Sequence, residues 1–350
     1  MGRGKPEKYF ELSGKIRRLI QERQLKRNDI LPSERQMAAM FEVNHLTLRK
    51  ALRLLEREKI IYKEPSRGNY VGPRPSSGKG KKIVCMIFPD HEIFYYNILA
   101  ELEEKLAAAG LHLLVHLTHN SRKKEEEILD FAMEEEMGAV VAMPNSECRE
   151  KYRSMQVPLI FFDQFIEGLA APHIISDDYN GGMMAAQHLL SLGHKAIAQI
   201  GSGYDQTMNS RAKGLVDALR KAGIKLPSSY VKTRDATRQW GYKAAEELFQ
   251  LPNPPTAIFC GNDTIAAGAF KYCADHKISV PKQCSLMGFG NTSVSEDLDL
   301  SSVNQNVSMI ASSLWKLLRL AMNGDTPPAE TVIPTSLILR GSTTTKANAS

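Results

Sequence analysis

Between Leu31 and Val71 the chain carries two short helical patterns separated by a three-residue turn. Ser33, followed three residues later by Gln36, predicts a capping box that opens a helix through Phe41. Glu42-Val43-Asn44 makes the turn. A second helix is expected from about His45 to about Glu58, with Leu48, Leu52 and Leu55 as its buried stripe. His45, Thr47, Arg49, Lys50 and Arg53 then fall on or near its open side, where donor-bearing side chains at a helix start suit a DNA major groove. Ile60–Lys63 and Asn69–Val71 are β-prone runs around Pro65-Ser66-Arg67-Gly68, which reads as a hairpin with a cation at its tip. Upstream, Leu12, Ile16, Leu19 and Ile20 give the segment from Tyr9 to Gln24 an apolar face to cover the pair.

Residues 9–71 resemble the winged helix-turn-helix of the GntR regulators. The match rests on Leu31-Pro32-Ser33-Glu34-Arg35, Val43, Thr47-Leu48-Arg49-Lys50-Ala51-Leu52 and Arg67-Gly68-Asn69-Tyr70-Val71. The resemblance implies DNA contacts from Arg35, Asn44, His45, Thr47, Arg49, Arg67 and Gly68, with Lys50 beside them on the open face. Asn44-His45 stands where the family usually has Ser-Arg, which replaces a permanent cation by a histidine. Asp29 stands where a glycine usually precedes the loop.

Charge is distributed to match. Residues 1–82 hold 21 Lys+Arg against 9 Asp+Glu, a net of +12, whereas the remainder is −6. A basic head on an acidic body fits a polyanion-binding module joined to something else. No apolar run is long enough to span a membrane and no signal peptide precedes Tyr9, so the expectation is a cytoplasmic protein without a membrane partner. Cys85, Cys148, Cys260, Cys273 and Cys284 show no Cys-x-x-Cys spacing, which predicts buried, reduced thiols rather than a disulfide or zinc framework.

The expected organisation is a head over 1–71, a Pro/Gly/Ser/Lys linker over 72–82, a two-lobed body over 83–343 and a tail over 344–350. From Ile83 onward, continuous apolar strands alternate with helical patterns, the signature of βαβ units and parallel sheets covered on both faces. The alternation restarts at Asp178, suggesting two α/β lobes, and ligands of such sheets sit at the carboxyl ends of the strands. The fold class is therefore α/β, with a winged helix-turn-helix ahead of a two-lobed, parallel-sheet body.

Residues 83–343 resemble the effector domain of lactose-repressor-type regulators, which is similar to periplasmic sugar-binding proteins. The motifs are His188 through Gly201, Arg211-x-x-Gly214, Cys260-Gly261-Asn262-Asp263, Val280-Pro281, Gly288-Phe289, Ser302-Val303-x-Gln305 and Leu339-Arg340-Gly341-Ser342-Thr343. The resemblance implies a cleft lined by Phe94, Tyr95, Asp163, Arg211 and Asn262. Gly290-Asn291 replaces the usual Asp-Asp, so Asn291 is the candidate substitute for a missing hydroxyl acceptor. Carboxylates, amides, a guanidinium fork and a flat ring are what a polyol requires.

Together the two halves resemble the arabinose-repressor type of bacterial regulator. They imply a repressor that binds operator DNA as a homodimer under the control of a small sugar-like effector, with no catalytic residues, cofactor or metal. The alternative is an enzyme acting on a sugar or nucleoside with an attached nucleic-acid-binding head. Against it, the sequence contains no Gly-x-Ser-x-Gly, His-Glu-x-x-His or post-strand Gly-x-Gly-x-x-Gly.

Overall fold

The computed structural model describes residues 8–58, 60–64, 67–72, 80–90, 92–203 and 206–346. Residues 73–79 of the expected linker, Pro65 and Ser66 of the hairpin tip, and 347–350 of the tail lie outside the described residues. The chain divides into two units, one ending at Gly78 and one from Lys79 onward.

The first unit contains α1 (Lys8–Glu22), α2 (Glu34–Met40), α3 (His45–Arg57), β1 (Ile61–Glu64) and β2 (Gly68–Val71). The predicted capping box is present: Ser33 Oγ accepts from the Gln36 amide, and Gln36 Oε1 accepts from the Ser33 amide. Leu48, Ala51, Leu52 and Leu55 of α3 are buried with Leu12 and Ile16 of α1 and Met37 of α2. β1 and β2 pair antiparallel, and the segment before α2 joins them through Val71 N–H to Asp29 O at 2.9 Å and Leu31 N–H to Asn69 O at 2.8 Å. A helix pair, a covering helix and a small sheet thus share one core.

The first lobe of the body runs β3 (Ile83–Phe88), α4 (Ile93–Ala108), β4 (His112–Leu117), α5 (Arg122–Glu134), β5 (Ala139–Ala142), α6 (Arg149–Arg153), β6 (Leu159–Phe162) and β7 (His173–Ser176). The second runs α7 (Asp178–Ser191), β8 (Ile197–Ser202), α8 (Gln206–Lys221), β9 (Val231–Arg234), α9 (Arg238–Phe249), β10 (Ala257–Cys260), α10 (Asp263–Asp275), β11 (Ser285–Gly290), α11 (Ser293–Asp297) and β12 (Ser301–Asn304). The chain then returns with α12 (Val307–Asn323), which packs on α4, adds β13 (Glu330–Ile333) to the first sheet, and closes with β14 (Ser336–Ile338) in the second. Strand orders are β13-β7-β6-β5-β3-β4 and β14-β12-β11-β10-β8-β9, six strands each. Every pairing in the body is parallel except β14 on β12. Alternate residues of β3 enter different cores, Val84, Met86 and Phe88 on one face and Cys85 and Ile87 on the other, as a doubly covered strand requires.

Three crossings join the lobes, after Ser176, after Asn304 and after Ile333. They are bonded to one another: Asp177 N–H donates to Ile333 O at 2.8 Å, Thr335 Oγ1 to Asp177 O at 3.1 Å, and Gln305 Nε2 to Ser176 Oγ at 3.2 Å.

Within the second lobe, α7 and α8 approach backbone to backbone. A Cβ at Gly214 would lie 2.0 Å from Tyr179 O and 2.8 Å from Met183 N, atoms that cannot swing aside. The glycine of Arg211-x-x-Gly214 therefore sets the helix spacing that holds Arg211 over α7. Gly214→Ala should lower the body's stability by about 1–3 kcal/mol through overpacking. Urea unfolding checks this, and an unchanged midpoint would show that the helices separate without cost.

Candidate DNA-binding face and ligand cleft

The residues expected to meet DNA are carried by α2, the start of α3 and the hairpin of the head. Asn44 is the N-cap of α3, its Oδ1 accepting from Thr47 N–H at 2.7 Å, so it fixes the start of the reader helix. His45, Arg49 and Lys50 are exposed and Thr47 is half-buried. Arg35, one residue inside α2, is also exposed. Glu34 ties two cations together, bonding Arg49 Nε at 3.2 Å and Lys63 Nζ at 2.7 Å. The Lys63 bond, assisted by Arg49, holds the Glu34 carboxyl below the ordinary carboxylate range. Arg49 still keeps 62 % of its side chain exposed, so the pair orients a guanidinium that remains open to a partner. Such surface pairs add little stability, and their effect here is to orient.

Arg67, the residue before β2, is 76 % exposed and 3.4 Å from Glu64. Gly68 has φ +132°, a conformation that L side chains rarely adopt, which accounts for glycine beside the tip. Lys50 Nζ lies 6.0 Å from the Tyr9 ring centroid, held against α1.

In the body, Phe94, Tyr95, Asp163, Arg211 and Asn262 converge on one chamber, with Glu92, Phe289, Gly290 and Thr292 beside them. Phe94 and Tyr95 open α4 and are equally part of the first lobe's core, Tyr95 stacking on Phe88 at 5.0 Å. Asp163 follows β6 with φ +63° and is 5 % exposed. Arg211 is also 5 % exposed: Nε donates to Asp178 at 2.9 Å, Nη1 donates to Gly261 O at 2.7 Å, and the guanidinium lies 3.9 Å from the Phe289 ring centroid. These bonds commit much of the fork that sequence reasoning reserved for ligand.

Asn262 serves both of the uses that the sequence left open. Its Oδ1 caps α10 through Ile265 N–H at 2.8 Å, while its Nδ2 points into the cleft and donates to Glu92 Oε1 at 2.6 Å. Asp263 is structural: Thr292 N–H, Thr292 Oγ1 and Ser302 Oγ donate to it at 2.8, 3.0 and 2.7 Å. Burial pushes its carboxyl up against those bonds.

Asn291 is corrected. Its backbone is left-handed, φ +49°, and its Oδ1 accepts from Arg340 Nη2 at 2.8 Å, so the side chain braces the C-terminal segment instead of lining the chamber. The carboxylate beside Gly290 is that of Asp263, 3.4 Å from where a Cβ would stand, while Asp163 and Glu92 bring carboxylates to the chamber from the other lobe. The chamber is about 20 Å³, room for about one water. Beyond it the cleft widens to about 950 Å³ between Asp90, Thr118, Asn145, Gln164, Gln206 and Asp235.

Among the described residues no cluster of His, Cys, Asp and Glu could hold a metal ion. All five cysteines are buried, and burial pushes the Cys85 and Cys273 thiols up to about 12, which disfavours the thiolate that a nucleophile needs.

Residues 8–71 match the family described as bacterial regulatory proteins, gntR family, and residues 186–343 match the periplasmic binding protein-like domain. The chain joins a GntR head to a periplasmic-binding-protein-like body. Among curated relatives, it is 26 % identical over 298 residues to the arabinose metabolism transcriptional repressor of Geobacillus stearothermophilus, covering 81 % of each chain. It is 27 % identical over 271 residues to the HTH-type transcriptional repressor CytR of Escherichia coli (strain K12), covering 75 % of this chain and 79 % of the relative. Among solved structures, a CelR–cellobiose complex superimposes with a TM-score of 0.69 at 20 % identity over 89 % of this chain and 100 % of the other. A periplasmic binding protein/LacI transcriptional regulator from Alkaliphilus metalliredigens QYMF complexed with D-xylulofuranose gives 0.66 at 23 % identity over 75 % and 99 %. The homologues are transcriptional regulators, and the structural likenesses establish the two-lobed fold.

Two residues of the GntR head and the body escaped sequence reasoning. Leu46, in the first turn of α3, is 68 % exposed between His45 and Thr47. Its signal was its phase, since it falls off the Leu48–Leu52–Leu55 stripe, and an apolar side chain there can meet a thymine methyl. Glu92 sits just before the aromatics that were singled out. It carried no signal of its own, because only the folded chain brings it to Asn262.

Proposed function

We propose that the protein is a sequence-specific, DNA-binding transcriptional repressor whose operator affinity is set by a small sugar-like effector in the body's cleft. It acts in the cytoplasm, as a homodimer, and is not an enzyme. The observation that carries this is the reader helix: α3 starts at a capped, exposed end bearing His45, Leu46, Thr47 and Arg49, with the Arg67 wing beside the same helix pair. One such helix covers only a few base pairs, so a specific site calls for two copies on a palindrome. Asp163, Arg211 and Asn262 support a hydroxyl-rich ligand, with Phe94 and Tyr95 as the apolar wall. The named homologues support repression, and no helix among the described residues is long and apolar enough to cross a membrane.

The test is selection of binding sites from genomic DNA, followed by operator binding with and without a panel of sugars. A palindromic site released or tightened by one sugar supports the proposal, and recovery of no palindrome removes it. Arg49→Ala should weaken binding to the selected operator by about 1–3 kcal/mol and relax specificity at one base position. Arg67→Ala should weaken binding more evenly across sequences, because groove-shape and phosphate contacts carry little base information. Titrations on operator and scrambled duplexes check this, and equal sequence dependence in both variants would count against it. A ligand can change DNA affinity only by its preference between two body states, so a coupling of about 1–3 kcal/mol is expected.

A further inference from the structure

We infer that Glu92 is a latch: its carboxylate takes Asn262 from across the cleft, holds the lobes together without ligand, and occupies the place that a ligand must win. The inference rests on the cleft reading above for the ligand's identity, but not for the latch itself.

Three observations carry it. First, the bond joins lobes: Glu92 precedes α4 in the first lobe, Asn262 caps α10 in the second, and they meet at 2.6 Å. A charge-assisted bond of that length is stronger than a neutral one. Phe165 N–H to Gln206 Oε1, a second bond across the cleft, is long at 3.4 Å. Second, the Glu92 side chain is not spent on capping its own helix. Although it stands at the N-cap of α4, its side chain makes no capping bond, as is also true of the five-residue α6 and α11, whereas the N-cap side chains of the longer α3, α5, α7, α9, α10 and α12 do. Third, Glu92 stands at a partition. The inner chamber, which holds Asp163, Arg211 and Asn262, and the outer cavity of about 950 Å³ share Glu92 and Tyr95 as the lining residues common to both among the described residues. The inner chamber takes about one water as it stands, so a sugar ring reaches Asn262 only when Glu92 lets go.

The chemistry of exchange is simple. Asn262 Oδ1 is committed to the α10 cap, so Nδ2 is the group it can offer a ligand. A ligand hydroxyl can accept from Nδ2 in place of Glu92 and donate its own proton to the released carboxylate. Glu92 then supplies, from the opposite lobe, the acceptor that Gly290 lacks, and it lines the same chamber as Gly290. Opening and filling the cleft are thereby linked through one side chain.

The experiment reads lobe separation in the full-length, ligand-free protein, from the distance between nitroxides on Lys123→Cys and Lys221→Cys, one on each lobe; the five native cysteines are buried. The latch predicts a narrow distribution in this background and a shifted, broader one in Glu92→Ala. Asn262→Asp keeps the capping oxygen but replaces the donor with a second carboxylate, and it should also shift the distribution. Adding Glu92→Gln to Asn262→Asp reverses donor and acceptor and should restore the narrow distribution, which a merely structural role would not do. A Glu92→Ala distribution that superimposes on the parent overturns the latch, as does a double variant no closer to the parent than Asn262→Asp alone. L-arabinose, D-xylose and cellobiose are then titrated into the labelled parent. A protein that latches but binds none of them keeps the latch and counts against the sugar reading.

Discussion

Arg211→Ala is expected to destabilise the body by about 3–5 kcal/mol, because it removes one partner of an ion pair buried on both sides. Arg211 and Asp178 keep only 6 % and 4 % of their side chains exposed, so solvent does little to screen the loss. The same change takes a donor from Gly261 O, between β10 and the Asn262 cap, and a cation from the Phe289 ring. Arg211→Ala should also silence the ligand response and leave operator binding by folded molecules nearly intact, since the head is a separate unit. The buried pair adds a stability cost that a residue held for ligand alone would not show. Trp240 and Trp315, the two tryptophans, both lie in the body, so urea unfolding followed by tryptophan fluorescence reads this unit alone. A loss below about 1 kcal/mol would place Arg211 among residues held mainly for ligand. Replacing the pair together, in Asp178→Asn with Arg211→Met, should recover part of the loss, since no buried charge then remains in the pair.

The parallel strands were legible because burial on both faces leaves continuous apolar runs, as in Ile83–Phe88 and Ala257–Cys260. The short strands at the sheet margins were not. Val231–Arg234 and Glu330–Ile333 are largely exposed and too short for a period to emerge, and Ser301–Asn304 is buried yet polar, with Ser301 Oγ and Ser302 Oγ engaged by Arg340 and Asp263. α12 was legible in principle, since Ile310, Leu314, Leu317 and Leu318 fall at helical spacing. In the cleft, Phe94, Tyr95, Asp163, Arg211 and Asn262 line one chamber. The failures were both matters of geometry. Asn291 turns away because its left-handed backbone points it at Arg340, and Glu92 arrives from 170 residues away in sequence. Neither direction is written in local pattern.

Leu48→Ala should abolish operator binding although Leu48 touches no DNA. Its side chain is fully buried among Leu12, Ile16, Met37 and Leu55, and truncating such a leucine costs about 2–5 kcal/mol. A head of roughly 65 residues has about 3–10 kcal/mol to lose. Small units also bury a smaller share of their surface, so the cavity is felt in full. The body has its own cores and should unfold at the same urea concentration as the parent. This separates the variant from Arg49→Ala one position later, which should leave the head folded and weaken binding only by the contact it removes. Far-ultraviolet circular dichroism of the helical head, tryptophan-detected unfolding of the body and operator titration distinguish the two. Full operator affinity in Leu48→Ala would mean that α3 is held by something other than the Leu12–Ile16–Leu55 core, and the reader-helix geometry would have to be redrawn.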